Sequence, residues 1–184
     1  HLTSKKKIYD KLSFLNTINF FLNKKKISIL EVNYKNKNFH ARYSAKKRFY
    51  KYLIINRTAS LSLDKNRAWH IKSPLNIELM KKAAKLLEGT KDFSTYRSSS
   101  CSAKTPIRTL EKVKILKKGN KLTIIFQSKS FLQQQVRSMV GCLKFVAEKK
   151  WDLKKFKFVL NSKKRINCAP PAPARGLYLF KVNY

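Results

Sequence analysis

One long apolar stripe constrains this chain more than any other feature. Between Phe131 and about Lys149, the residues Leu132, Val136, Met139, Val140, Leu143 and Val146 recur at three- and four-residue spacing. That period predicts a helix with a single buried face, and such a face needs a second layer to pack on. Arg137 falls about 120° around the wheel from the centre of the stripe, with Gly141 one turn further along. From that flank an arginine reaches out of the packing toward an acidic partner, and the glycine leaves room beside it. Periodicity alone favours the plainer reading, a surface arginine on an amphipathic helix.

The second layer is legible as strands. In Lys47–Asn56, Phe49, Lys51, Leu53 and Ile55 alternate with Tyr50, Tyr52 and Ile54, which predicts a strand over 47–56. Thr109–Leu116 and Leu122–Gln127 read as two more strands, joined by a hairpin turn at Lys118-Gly-Asn120. Leu177–Val182 is a final strand, and Ile27–Val32 alternates loosely enough to read as one. Helices are expected over Ile8–Leu22, after the N-cap Asn76 up to a C-cap at Gly89, and after the N-cap Asp152. Asn56–Ser73, with Trp69, and the polar Lys91–Pro106 read as loops, and Cys168–Gly176 as a rigid, proline-rich one. The order predicts an α+β fold with helices on one face of an antiparallel sheet.

Charge narrows the partners. The chain has 184 residues and a formal charge of +34, from 43 Lys and Arg against 9 Asp and Glu. A folded domain that basic repels itself, so a polyanionic partner is expected, with nucleic acid ahead of a membrane. The content of 43% hydrophobic and 12% aromatic residues argues for a packed core. Only nine of the cations are arginines, and against a lysine background each suggests planar contact with carboxylate or phosphate. Cys101, Cys142 and Cys168 form no zinc pattern and imply no disulfide framework. No apolar run approaches the roughly 18 residues of a membrane span, and the expected location is the cytoplasm.

Four stretches, in order, carry a resemblance. They are Phe39-His-Ala-Arg-Tyr-Ser-Ala45 with Arg48-Phe-Tyr-Lys-Tyr52, Gly89-Thr-Lys-Asp-Phe-Ser94 through Ile107-Arg-Thr109, Phe131-Leu-Gln-Gln-Gln-Val-Arg-Ser-Met-Val-Gly141, and Ala172-Pro-Ala-Arg-Gly-Leu-Tyr-Leu179. Together they resemble the tRNA pseudouridine synthase A family. The resemblance implies the pseudouridine synthase fold, with residues 39–184 as its C-terminal, ferredoxin-like half and 1–38 as a remnant of the N-terminal catalytic half. It also implies isomerisation of uridine to pseudouridine in the anticodon stem-loop of tRNA, no metal or cofactor, and a homodimer.

Residue roles follow from the same resemblance. Tyr50 matches the tyrosine that packs on the target base, Arg137 the arginine that pairs with the nucleophilic aspartate, and Leu177 the apolar residue beside the base. Arg42, Arg48 and Arg97 are expected phosphate contacts. The departure lies at the front. The family's nucleophile stands in R-T-D-x-G-V-H-A, and His1-Leu-Thr resembles the residues after that Gly-Val, which would put the aspartate four residues before residue 1. None of the nine carboxylates present stands in such a context. The expectation is an N-terminally truncated, inactive synthase, and the competing one a non-catalytic, basic RNA-binding module. Lys91, Gln134 and Gln135 depart from the histidines usual in the family.

Overall fold

The computed structural model describes residues 1–4 and 7–184, which divide into two compact units, His1–Ser44 and Ala45–Tyr184. The first unit is built on one helix, α1 (Lys11–Leu22), which starts where the Asp10 carboxylate accepts the Leu12 and Ser13 amides and buries no side chain. The segment 27–32, expected as a strand, is not one. Its alternation is real, but no neighbouring strand pairs with it among the described residues. The Asn19 side chain instead both donates to the Ile29 carbonyl and accepts its amide, at 2.9 and 2.8 Å.

The second unit is a six-stranded sheet with three helices. Its strands are β1 (Lys47–Asn56), β2 (Trp69–Ile71), β3 (Gly89–Asp92), β4 (Ile107–Lys118), β5 (Lys121–Ser128) and β6 (Leu177–Asn183). The spatial order is β2-β1-β5-β4-β3, with β6 also paired to β1. All pairings are antiparallel except β1 with β2, where Ile54 stands opposite Trp69. The sheet is therefore mostly antiparallel. Trp69 belongs to a short strand rather than to the loop expected there, and β3 likewise lies inside a stretch read partly as polar loop.

Alternation puts Tyr52 and Ile54 of β1 and Leu122, Ile124 and Phe126 of β5 on one buried face. On β4 the parity changes from Leu110 to Val113 and Ile115, because a bulge between Leu110 and Lys112 leaves Glu111 as the extra residue. Against this face pack α2 (Ile77–Leu86), α3 (Gln135–Ala147) and α4 (Leu153–Asn161). Asn76 caps α2 through the Leu79 amide at 2.9 Å, and Asp152 caps α4 through Lys155 at 2.7 Å. The end of α2 is capped by Leu87, not by Gly89, whose φ of +97° lies at the start of β3. Phe93 and Tyr96, in the stretch read as polar, are wholly buried.

The apolar stripe of α3 is the centre of this core. Leu132, Val136, Met139, Val140, Leu143 and Val146 are all buried. The helix itself begins at Gln135, four residues later than the pattern suggested, because Gln134 adopts φ +62° and breaks the backbone there. Among the described residues, no helix is long and apolar enough to cross a membrane.

Candidate active site

The site is assembled on the helix-facing side of β1 and β6, at the end where the chain leaves β5 for α3. Tyr50 and Tyr52 share that face with the residues opposite them on β6, Leu179 and Leu177. Tyr52 is wholly buried and its hydroxyl donates to the Pro173 carbonyl at 2.6 Å. Burial pushes its phenol above the usual tyrosine range, even though the Arg137 and Arg175 charges pull the other way. Tyr52 is thus a neutral donor that fastens the proline-rich loop to the sheet. Two residues earlier, Tyr50 is only half-buried, and its ring meets Phe131 edge-on with centroids 5.1 Å apart. Phe131 fixes that ring from one side.

Arg137 is the third residue of α3 and is half-buried. Its Nε donates to the Ala172 carbonyl at 2.6 Å, while the Ala172 amide donates back to the Arg137 carbonyl at 3.0 Å. Loop and helix thereby hold each other in register. Gly141, one turn on, lets the loop come close: a Cβ there would stand 2.1 Å from the Pro170 oxygen. Gly176 does the same at the loop's other end, where a Cβ would lie 2.7 Å from the Tyr52 ring and 2.8 Å from the Leu53 oxygen.

Among the described residues no carboxylate pairs with Arg137. The ion pairs found engage Glu78, Glu88, Asp92, Glu111 and Glu148, and Asp10 and Asp152 cap helices. A guanidinium stays protonated, so this one presents its outer N–H groups as donors beside a neutral phenol. That arrangement can orient a carboxylate or phosphate oxygen, and the flat Tyr50 ring can receive a planar group.

Of the residues singled out from sequence, Tyr50 and Leu177 share one sheet face, and Arg137 reaches the loop that Tyr52 of that face also holds. Leu177 is half-buried and packs against the core. Arg48, on β1, donates to the Lys129 carbonyl and so tethers the connection from β5 to α3. Arg97 is half-buried just after the short 3-10 turn Ser94–Tyr96. Arg42 lies in the first unit, exposed, with its guanidinium 5.7 Å from the Tyr43 ring centroid.

Sequence reasoning missed Tyr52, Phe131 and the carbonyls of Ala172 and Pro173. The run Ala169-Pro-Pro-Ala-Pro-Ala174 was the available signal, since chain so rich in proline leaves its carbonyls free to receive side-chain donors. No group of three or more potential metal ligands occurs among the described residues.

Comparison with known proteins identifies the family. Residues 83–184 match the family model described as tRNA pseudouridine synthase. A protein named tRNA pseudouridine synthase A from Pelagibacter ubique is 59% identical over 184 residues, covering 100% of this chain and 75% of that protein. Its namesake in Caulobacter vibrioides is 41% identical over 92% of this chain and 68% of its own length. Another, in Paramagnetospirillum magneticum, is 41% identical over 91% of this chain and 65% of its own length. The chain belongs to the tRNA pseudouridine synthase A family.

Proposed function

We propose that this chain carries the C-terminal half of a synthase that isomerises uridine to pseudouridine in the anticodon stem-loop of tRNA, working as a cytoplasmic homodimer. One observation carries the reading. Arg137, half-buried and tied to the Ala172 carbonyl, has no carboxylate partner among the described residues, and its charge acts on Tyr52, on the same face as Tyr50. In this reading Arg137 orients a nucleophilic aspartate, Tyr50 supports the uracil ring and stands near the proton lost from C5, and Leu177 closes the apolar side. Arg42, Arg48 and Arg97 contact phosphates. Residues 1–38 belong to the catalytic half and 39–184 to the other. The second reading, a non-catalytic basic RNA-binding module, draws on the formal charge of +34. Pseudouridine formation by a chain carrying the aspartate separates the two.

Salt should weaken tRNA binding steeply in a chain of charge +34, because each phosphate contact releases a counterion. For six or more contacts the affinity should fall about 1000-fold or more between roughly 50 and 200 mM salt. Fluorescence anisotropy with labelled tRNA measures it, and a flat response would count against a polyanionic partner.

Tyr50 is tested in a chain extended to include the aspartate. Tyr50→Phe keeps the ring against Phe131 and removes only the hydroxyl, so tRNA binding should hold while turnover falls by about 100-fold or more. Tyr50→Ala should lose binding of the flipped base as well, through the missing aromatic surface. Near-normal turnover in both variants would leave Tyr50 as part of the scaffold alone.

A further inference from the structure

The proline-rich loop is fastened to α3 at successive levels. Pro170 lies against Gly141, Ala172 exchanges hydrogen bonds with Arg137, and at the start of the loop two thiols meet. Cys142 of α3 and Cys168 of the loop lie 26 positions apart in sequence, with their sulfurs 3.5 Å apart. None of the roles assigned at the active site uses this pair. We propose that Cys142 and Cys168 form a peroxide-sensitive thiol pair, whose oxidation to a disulfide staples the proline-rich loop to α3.

Geometry sets the chemistry. A bond between the sulfurs requires them to close by about 1.5 Å, a shift that side-chain rotation and a small movement of the loop can supply. Cys142 is wholly buried and Cys168 half-buried, so attack begins at Cys168 and the oxidant has to be small. The hydrogen bond from the Cys142 thiol lowers the Cys168 pKa, burial opposes it, and the Arg165 charge adds to the lowering. The same bond, together with burial, pushes the Cys142 thiol up. As the more accessible sulfur, Cys168 is the nucleophile and Cys142 the resolving partner.

The steps balance. The Cys168 thiolate attacks one oxygen of hydrogen peroxide, and the O–O bond breaks. The departing hydroxide takes the proton that Cys168 has shed and leaves as water. Cys168 is now a sulfenic acid. The Cys142 sulfur then attacks the Cys168 sulfur, the S–O bond breaks, and hydroxide leaves with the Cys142 proton as a second water. Two thiols have lost two electrons and two protons, and one peroxide has gained them. Thioredoxin-type dithiols reverse the step by exchange at the more accessible Cys168 sulfur.

The test uses the 184-residue chain with Cys101→Ser, which removes the third thiol. After brief hydrogen peroxide and alkylation of the unfolded protein with maleimide, the expected product has lost two hydrogens and carries no maleimide. Digestion should yield one peptide pair joined through Cys142 and Cys168, released by dithiothreitol. With Cys142→Ser added, the Cys168 sulfenic acid should persist and be trapped by dimedone, and Cys142→Ala serves if the serine variant folds poorly. Hydrogen exchange reads the staple directly. The Ala172 amide, bonded to the Arg137 carbonyl, should exchange at least about tenfold more slowly in the oxidised chain. Two free thiols after peroxide, or Cys168 driven to sulfinic acid with Cys142 still reduced, would overturn the pair. An Ala172 amide exchanging equally fast in both states would overturn the staple.

Discussion

Incubated with unmodified tRNA, the 184-residue chain is expected to bind it and form no pseudouridine, whatever the pH. None of its nine carboxylates stands in the family's nucleophile motif. Among the described residues Asp10 and Asp152 cap helices, five others pair with lysines, and Glu31 accepts from the Asn33 side chain. No titration brings one of them to Arg137, so the null result should not respond to pH. On the role proposed for Arg137, adding the R-T-D-x-G-V segment before His1 should restore turnover, since its guanidinium is already held by the Ala172 carbonyl. The gain should be about ten-thousand-fold or more, the scale lost when a covalent nucleophile is removed. In that extended chain, Arg137→Ala should cost about 100- to 1000-fold in kcat, as loss of one preorganised charged donor does. Arg137→Lys should recover only part of it, because a point charge cannot match the planar fork. Incorporation is scored by release of tritium from C5-labelled uridine in tRNA. Pseudouridine made by the unextended chain would sink the assignment of Arg137 and of the missing aspartate together.

How much of this was readable in advance differs by element, for physical reasons. The bounds of β1 were legible to the residue because its aromatic and β-branched run is flanked by polar residues, although its faces are not cleanly divided, Ile55 being buried as Tyr52 and Ile54 are. Asn76 and Asp152 announced their helices because a short side-chain oxygen before an apolar period has one obvious use. β2 was not legible. Three residues in a parallel ladder have no period to show, and only the presence of β1 makes Trp69–Ile71 a strand. Ile27–Val32 failed in the opposite direction, since alternation permits a strand but cannot supply its partner. The start of α3 slipped by a turn because Gln134 takes a left-handed conformation with no glycine or asparagine to mark it.

The site divides in the same way. Arg137, Tyr50 and Leu177 could be singled out because they stand in motifs, each short enough to be seen whole. The groups that hold Arg137 in place could not. Its acceptor, the Ala172 carbonyl, is 35 positions away, and the Pro173 carbonyl that receives the Tyr52 hydroxyl is 121 positions from it. A backbone carbonyl has no letter in the sequence, so contacts of this kind are visible only once the chain is folded.

That dependence of the site on one loop makes Gly141→Ala the second large effect. On an exposed helix the change would stabilise by about 1 kcal/mol, because alanine loses less backbone freedom than glycine. Here the new Cβ would stand 2.1 Å from the Pro170 oxygen and 3.2 Å from its carbon, both backbone atoms with no side-chain rotamer to yield. Either the loop lifts or α3 shifts against the sheet. Overpacking of this kind costs about 1–3 kcal/mol and sometimes more, and lifting the loop also strains the hydrogen bonds at Ala172 and Pro173. The net loss should be about 2–3 kcal/mol, a fall in Tm of about 5–10 °C for a chain this size. Urea unfolding should show a lower midpoint with an unchanged slope, the signature of lost stability rather than an altered unfolded state. In the extended, active chain the same substitution should also reduce turnover, although the residue touches neither the base nor Arg137, because the Ala172 carbonyl moves with the loop. A Gly141→Ala protein as stable as its parent would mean that the loop does not rest on α3, and that the carbonyl anchor of Arg137 has been misplaced with it.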